Sequence, residues 1–171
     1  MCKGNSFDTE NDYFYQKNRK MEKTFDITAT SRNTLSQFLK GYSLEQLNKI
    51  PEGYNNNLIW NIGHIVVVQQ MLVYKLSGLP MMISEEMVGK YMKGTKPEED
   101  ATQADVDEIQ GLLFETINQT KTDLGNKIFR DFQEFTTMTG FAIKTAEDAI
   151  SFNVYHEAVH TGVMMGIRKF V

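Results

Sequence analysis

Residues 145–167 read TAEDAISFNVYHEAVHTGVMMGI and carry the clearest helical pattern of the chain. Thr145 and Asp148 have the spacing of a capping box, in which two side chains satisfy free N–H groups at a helix start. The positions that follow at helical spacing on one face are Ala149, Phe152, His156, Val159, His160, Val163 and Ile167. We therefore predict a long helix that packs against the domain through this face.

Residues 57–76 are predicted to form a second long helix in the interior. Asn57 offers a cap, Gly78 and Pro80 end the segment, and apolar residues surround most of its circumference. The valines at 66–68 have some strand propensity, but a span of this length without a breaker favours a helix. A helix that is apolar all round is enclosed by its neighbours.

Two amphipathic patterns complete a set of four helices. One runs from about Thr28 to Tyr42, and the other spans roughly 103–124 behind a capping pair, Thr102 and Asp105. A short helix is expected near 84–91, and the Phe-rich residues 125–144 are expected to pack across one end. The connections before the last two long helices have about 20 residues, and such crossovers join helices in some bundles. The predicted fold class is all-α, a four-helix bundle with long crossover connections.

The length of 171 residues suits one domain, which we place at 23–171 behind a flexible tail at 1–22. The tail is polar and has no apolar core of the kind that export signals need. The net charge of -4 argues against nucleic acid as a partner. The most apolar stretch, 58–68, is too short to cross a bilayer. Cys2 is the single cysteine, so no internal disulfide forms, and a cytoplasmic location is expected.

All three histidines of the chain fall in the two helices expected to be most deeply packed. His156 and His160 are four residues apart, so their side chains lie one turn apart on the same helix side. His64 lies in the second helix beside Gly63, where a neighbouring backbone can approach closely. Three imidazoles leave one position of a tetrahedral metal open, as in catalytic sites. The alternative is that each histidine is a hydrogen-bonded core residue without a metal.

Residues 156–160, HEAVH, also match the spacing that metalloproteases use, two histidines and a glutamate. Residues 161–171 contain no third ligand of the kind such proteases place downstream, and no sheet is evident to hold a peptide. Glu157 and Tyr155 flank the predicted ligand face, so neither is assigned as a general base. Trp60, one turn before His64, and Asn153, three residues before His156, are predicted to line the pocket or to orient a ligand, and packing is the favoured alternative for Trp60.

Two short segments carry a family resemblance. Residues 60–65, WNIGHI, resemble a W-x-x-x-H signature followed by a hydrophobic residue, and residues 156–162 resemble an H-x-x-x-H-x-G signature. Together they resemble the DinB-like (DinB/YfiT) superfamily of four-helix proteins over roughly residues 25–171. The resemblance implies an up-down-down-up bundle in which His64, His156 and His160 bind a divalent metal, zinc or nickel.

The resemblance also implies an activity for some members of the family. These members are transferases or isomerases that use a low-molecular-weight thiol such as bacillithiol or mycothiol, with the metal activating the sulfur. The expected partners are therefore a small-molecule substrate and a thiol cofactor. The alternative is a non-enzymatic, metal-binding or dimerising bundle with a stress-related role. A homodimer is also expected, on the sole ground that dimers are the most common oligomers of soluble proteins.

Overall fold

The structure is a computed structural model that describes residues 7–171, with the side chains of all of these except residues 7–15, 17 and 18. In chain order, its elements are α1 (Phe7–Gly41), α2 (Leu44–Asn48), α3 (Leu58–Gln70), α4 (Glu85–Tyr91), α5 (Gln103–Gly125), β1 (Phe135–Thr136), β2 (Ala142–Ile143) and α6 (Ala146–Ile167). A π-helical turn, Met71–Lys75, continues α3. The all-α prediction is confirmed, since β1 and β2 form only a two-residue antiparallel pair.

The four long helices α1, α3, α5 and α6 form a bundle. Both α1 and α3 contact α5 and α6, so α1 and α3 occupy opposite corners of the bundle. Every residue of α3 except Val68 is buried, as predicted for an enclosed helix. The cap at Asn57 is also confirmed, since its side-chain oxygen accepts a hydrogen bond from the Trp60 N–H at 2.8 Å. This placement fixes His64 in the interior, facing α6.

The start of α1 differs from the prediction. Residues 7–22 are helical, whereas an irregular segment was expected and the helix was predicted to begin near Thr28. No Gly or Pro interrupts residues 7–40, and Met21 and Phe25 are buried against the bundle, so packing extends the helix beyond the periodic region. Residues 1–6, including Cys2, lie outside the described residues, and the division into a tail and a domain at residue 23 stays a prediction.

The capping signals locate the later helices correctly. Thr102 and Asp105 form the predicted reciprocal capping box of α5, and the Thr145 hydroxyl accepts the Asp148 N–H at the start of α6. In the segment 126–145, Phe129 and Phe132 pack on the bundle as expected. Phe135 and Phe141 are instead about half exposed, because they belong to the surface hairpin of β1 and β2. No helix within residues 7–171 combines the length and apolar character that a membrane span needs.

The buried face of α6 is rotated from the predicted one. Val159 and Val163 are 46% and 37% exposed, so their assignment to the inward face is wrong. Asn153 and Glu157 are buried in their place. The physical reason is a partner on another helix, since Arg32 of α1 pairs with Glu157 inside the bundle. A paired carboxylate can be buried where an isolated one cannot.

Candidate metal centre

His64 of α3 and the pair His156 and His160 of α6 come together where these helices pack. Their ring centroids are 4.6 Å apart for His64 and His160, 4.6 Å for His156 and His160, and 5.2 Å for His64 and His156. One nitrogen from each ring lies within 4.8 Å of the other two. Two nitrogens bound to the same zinc ion are about 3.3 Å apart, so small side-chain rotations close the set. The three histidines thus form one group that can hold a metal ion.

Two of the rings are oriented by hydrogen bonds at Nδ1. His64 Nδ1 lies 2.6 Å from the carbonyl oxygen of Tyr91, and His160 Nδ1 lies 2.8 Å from the side-chain oxygen of Asn61. Both partners are acceptors, so each ring carries its proton on Nδ1 and keeps the lone pair of Nε2. Metal-ligating histidines usually donate their second ring N–H to such an acceptor. The orientation of both rings therefore fits a metal ligand.

His156 is different, because neither of its ring nitrogens makes a hydrogen bond. Its Nδ1 is buried without a partner. A buried histidine that served only packing would normally be hydrogen-bonded, since an unpaired buried polar atom is costly. The group as a whole offers nitrogen donors with no competing partner at Nε2. This is the chemistry that a divalent ion of intermediate softness requires.

The electrostatics of the group favour neutral imidazoles. Burial lowers the pKa of His156 to about 3, with further lowering by the nearby His160, His64 and Arg32. Burial likewise lowers the pKa of His160 to about 4, with His64 adding to the effect. The pKa of His64 is also lowered, mainly by burial, against the hydrogen bond to Tyr91. All three rings are thus neutral near pH 7, as ligands must be.

These shifts predict a pH-dependent stability of the metal-free protein. The folded pKa values, about 3 for His156 and about 4 for His160, lie below the unfolded value of 6.5, so the unfolded chain binds more protons than the folded one between about pH 6.5 and 3. The free energy of unfolding should be fully present above pH 6.5 and fall as the pH is lowered through this window. Thermal denaturation of metal-free protein at pH 7.5, 6 and 5 measures it. A flat profile in the parent, or an equal slope after His64→Ala with His160→Ala, would contradict the assignment.

Trp60 covers one side of the group. Its indole stacks on the His64 ring with centroids 4.6 Å apart and planes 12° from parallel. The indole N–H reaches the Lys90 carbonyl and the Thr95 hydroxyl at 3.2 Å each, so the ring is held in place. Trp60 and Tyr91 also form part of the wall of an open cleft of about 940 Å³ that none of the histidines lines. Trp60 therefore packs against a predicted ligand, and its role as a pocket residue stays a prediction.

Gly63 permits the close approach that the sequence indicates, although a side chain makes it instead of a backbone. A Cβ at this position would lie 2.7–2.9 Å from three ring carbons of Tyr91. Tyr91 also supplies the carbonyl that accepts the His64 proton. The absence of a side chain at Gly63 thus allows α4 to lie against α3 beside the histidine.

Gly63→Ala is expected to destabilise the fold and weaken metal binding. Overpacking against the buried Tyr91 ring costs about 1–3 kcal/mol, and the displaced Tyr91 carbonyl would release His64. Gly111→Ala is the matched control, because Gly111 lies in α5 with open space around it. There an alanine should raise the free energy of unfolding by about 0.5–1 kcal/mol through its higher helix propensity. Thermal denaturation should therefore show opposite signs for the two variants. A neutral Gly63→Ala would contradict the tight contact.

Glu157 does not occupy the position of a protease general base. Its side chain is fully buried and receives hydrogen bonds at Oε1 from Arg32 Nε and Asn153 Nδ2, both at 2.8 Å. Asn153 is therefore bound to Glu157 inside the bundle, and its predicted role in lining a pocket stays a prediction. The protease interpretation of HEAVH needs a glutamate that reaches a water on the metal. The bonds to Arg32 and Asn153 direct this carboxylate into the interior instead.

Sequence patterns missed four residues that surround the histidines: Arg32, Asn61, Tyr91 and Glu157. Asn61 could have been found as a polar residue on the enclosed helix α3. Arg32 could have been noticed as a cation on the helix face that carries Thr28 and Leu35, all three of which are buried. Tyr91 is the last residue of α4 and acts through its backbone carbonyl, so no side-chain pattern indicates it.

Comparison with known proteins confirms the resemblance. The family model described as the DinB superfamily matches residues 27–164, and no curated protein matches the chain. The matched span includes His64, His156 and His160 and runs from α1 into α6. A match of this extent covers most of the chain and all four long helices. The chain belongs to the DinB superfamily.

Proposed function

We propose that this protein binds one divalent metal ion, zinc or nickel, through His64, His156 and His160. The observation that carries the proposal is the convergence of the three rings, with one nitrogen of each within 4.8 Å of the others. The acceptors at Nδ1 of His64 and His160 support it, because they leave Nε2 available. Three protein ligands leave a tetrahedral ion one open position, as in catalytic zinc sites.

We further propose that the protein is a transferase that joins a low-molecular-weight thiol to a small electrophile. When held by the three histidines, a divalent ion would lower the pKa of a thiol and supply its thiolate near neutral pH. The new sulfur–carbon bond would form as the bond between that carbon and its leaving group breaks. The side chains of the protein hold the ligands. Trp60 stacks on His64, while Tyr91 and Asn61 fix two ring orientations. A cytoplasmic location, where small thiols stay reduced, belongs to the same proposal.

Conjugation assays test the transferase proposal. Zinc- or nickel-loaded protein is incubated with a panel of small thiols and alkylating electrophiles, beside metal-free protein and the variant His64→Ala with His160→Ala. We expect conjugate formation above the uncatalysed rate only in the metal-loaded parent. Stoichiometric metal without conjugation of any thiol would contradict the transferase proposal and leave metal binding standing.

An exposed apolar stripe on α6 favours the second candidate, a bundle whose function depends on self-association. Tyr155, Val159 and Val163 follow one another at four-residue spacing and are 54%, 46% and 37% exposed. Such a stripe suits an isologous contact between two copies. Light scattering on the parent and on Val159→Glu tests it, with a dimer expected for the parent and a monomer for the variant. A monomeric parent would contradict self-association.

A further inference from the structure

Four buried polar atoms without a hydrogen-bond partner belong to one residue of α1 and to three residues within one turn of α6. They are Nη2 of Arg32, Oδ1 of Asn153, Nδ1 of His156 and Oε2 of Glu157. Among the described side chains, the remaining atom of this kind is Oδ1 of Asn56, in the loop before α3. Arg32 Nη2 still lies 2.7 Å from Glu157 Oε1 in an ion pair, so the second of its two N–H groups is the one left without an acceptor. Each unpaired buried group costs about 1–3 kcal/mol, so these atoms require an explanation.

The carboxylate of Glu157 is bound through one oxygen only. Oε1 accepts from Arg32 Nε and from Asn153 Nδ2 at 2.8 Å each, and Arg32 Nη2 lies 2.7 Å from the same oxygen. Oε2 has no partner. Both Arg32 and Glu157 are fully buried, so bulk solvent does not reach the second oxygen. The carboxylate is thus rigidly held with one acceptor position unused.

His156 directly precedes Glu157 on α6. Asn153 lies one turn before both residues, three positions before His156 and four before Glu157, so it shares a helix side with each of them. Its side-chain amide already donates to Glu157 Oε1. When Nε2 of a histidine carries the lone pair for a ligand, its proton sits on Nδ1. His156 then has a buried donor without an acceptor, and Glu157 and Asn153 have buried acceptors without a donor.

The four atoms make up the complete hydrogen-bonding set of a single water molecule. Arg32 Nη2 and His156 Nδ1 supply two N–H donors, while Glu157 Oε2 and Asn153 Oδ1 supply two acceptors. A water molecule accepts two hydrogen bonds and donates two, and buried waters typically satisfy polar groups of this kind. The set is also electrically balanced, because the guanidinium and the carboxylate form an ion pair.

We propose that a buried water molecule occupies this place and connects His156 Nδ1 to Glu157 Oε2, which makes Glu157 a positioning residue for the third imidazole. This inference rests on the proposed metal site and extends it. Tyr91 orients His64, Asn61 orients His160, and the Glu157 carboxylate orients His156 through the water. The role of Arg32 and Asn153 is to hold that carboxylate in the interior.

The first test replaces the ion pair by apolar side chains, Arg32→Met together with Glu157→Met. Replacing a buried pair as a whole is often neutral for stability, so the double variant retains the bundle. We expect its zinc affinity, measured by competition with a chelator, to fall 10- to 100-fold. The matched control is Tyr74→Phe with Asp123→Leu, which removes another buried polar pair between helices and should leave zinc affinity unchanged. A folded Arg32→Met, Glu157→Met variant with parental zinc affinity would overturn the inference.

The second test determines the tautomer of His156 in the metal-free parent. It can therefore be carried out even if the double variant fails to fold. The ¹⁵N chemical shifts of the ring at neutral pH distinguish a proton on Nδ1 from one on Nε2. We expect the proton on Nδ1, and a proton on Nε2 would overturn the inference. If the parent binds no zinc but shows the Nδ1 tautomer, the proposed function fails while the positioning of His156 by Glu157 stands.

Discussion

Stoichiometric metal should disappear when His64 and His160 are both replaced by alanine. The parent, purified without a nickel-affinity step, is expected to carry about one zinc or nickel ion per chain, and the double variant none, because a single remaining imidazole cannot hold the ion. Elemental analysis measures the content directly. Added metal should also raise the thermal stability of the parent, by about 2.7 kcal/mol at a free concentration 100 times the Kd, and leave the variant unchanged.

The control for this prediction is Gln69→Ala, which truncates a buried side chain of the same helix. The Gln69 amide donates to Thr120 of α5 and accepts from Gln70, and it forms no hydrogen bond with the histidines. Its variant should retain the parental metal content despite a lower stability. Equal and low metal in the parent and in the histidine variant would remove the basis of the proposed function and leave only a packed helical domain.

Arg32→Met alone should be the most destabilising single substitution considered. It leaves Glu157 as an uncompensated charge at a fully buried position, which costs about 3–5 kcal/mol. For a chain of this size, such a loss lowers the melting temperature by on the order of 10 °C. Thermal denaturation of the metal-free protein measures the effect without a contribution from bound metal.

The matched comparison is Arg32→Met with Glu157→Met. Removing both charges should recover most of the lost melting temperature, because no unpaired charge then remains in the interior. Arg130→Met is a second control, since Arg130 is an exposed arginine in the connection before α6. A loss below about 1 kcal/mol for Arg32→Met would show that the interior is open to water at this place and would contradict the buried ion pair.

Local signals predicted the helices well where a cap or an enclosed apolar run was present. Asn57, Thr102 and Thr145 begin their helices as expected, because cap chemistry depends on residues three positions apart. The helical turns around Met21 and Phe25 were missed, since those side chains pack against distant helices. Periodicity within residues 7–27 contains no information about that contact.

The structure brings the three predicted ligands together. They could be predicted because the spacing of two of them on α6 and the family resemblance both indicate them. The side chains that orient them were not predictable in the same way. Arg32 is 125 positions from its partner Glu157, and Asn61 is 99 positions from His160. Such pairs depend on which helices meet, and that arrangement is a property of the whole bundle. The rotation of the buried face of α6 has the same origin.

The most direct measurement is a crystal structure of the metal-loaded protein with anomalous scattering collected at the zinc or nickel edge. A single anomalous peak between α3 and α6, about 2.0–2.1 Å from one nitrogen of each of His64, His156 and His160, is the expected result. A peak bound by other residues, or three histidine rings separated with no peak between them, would contradict the account.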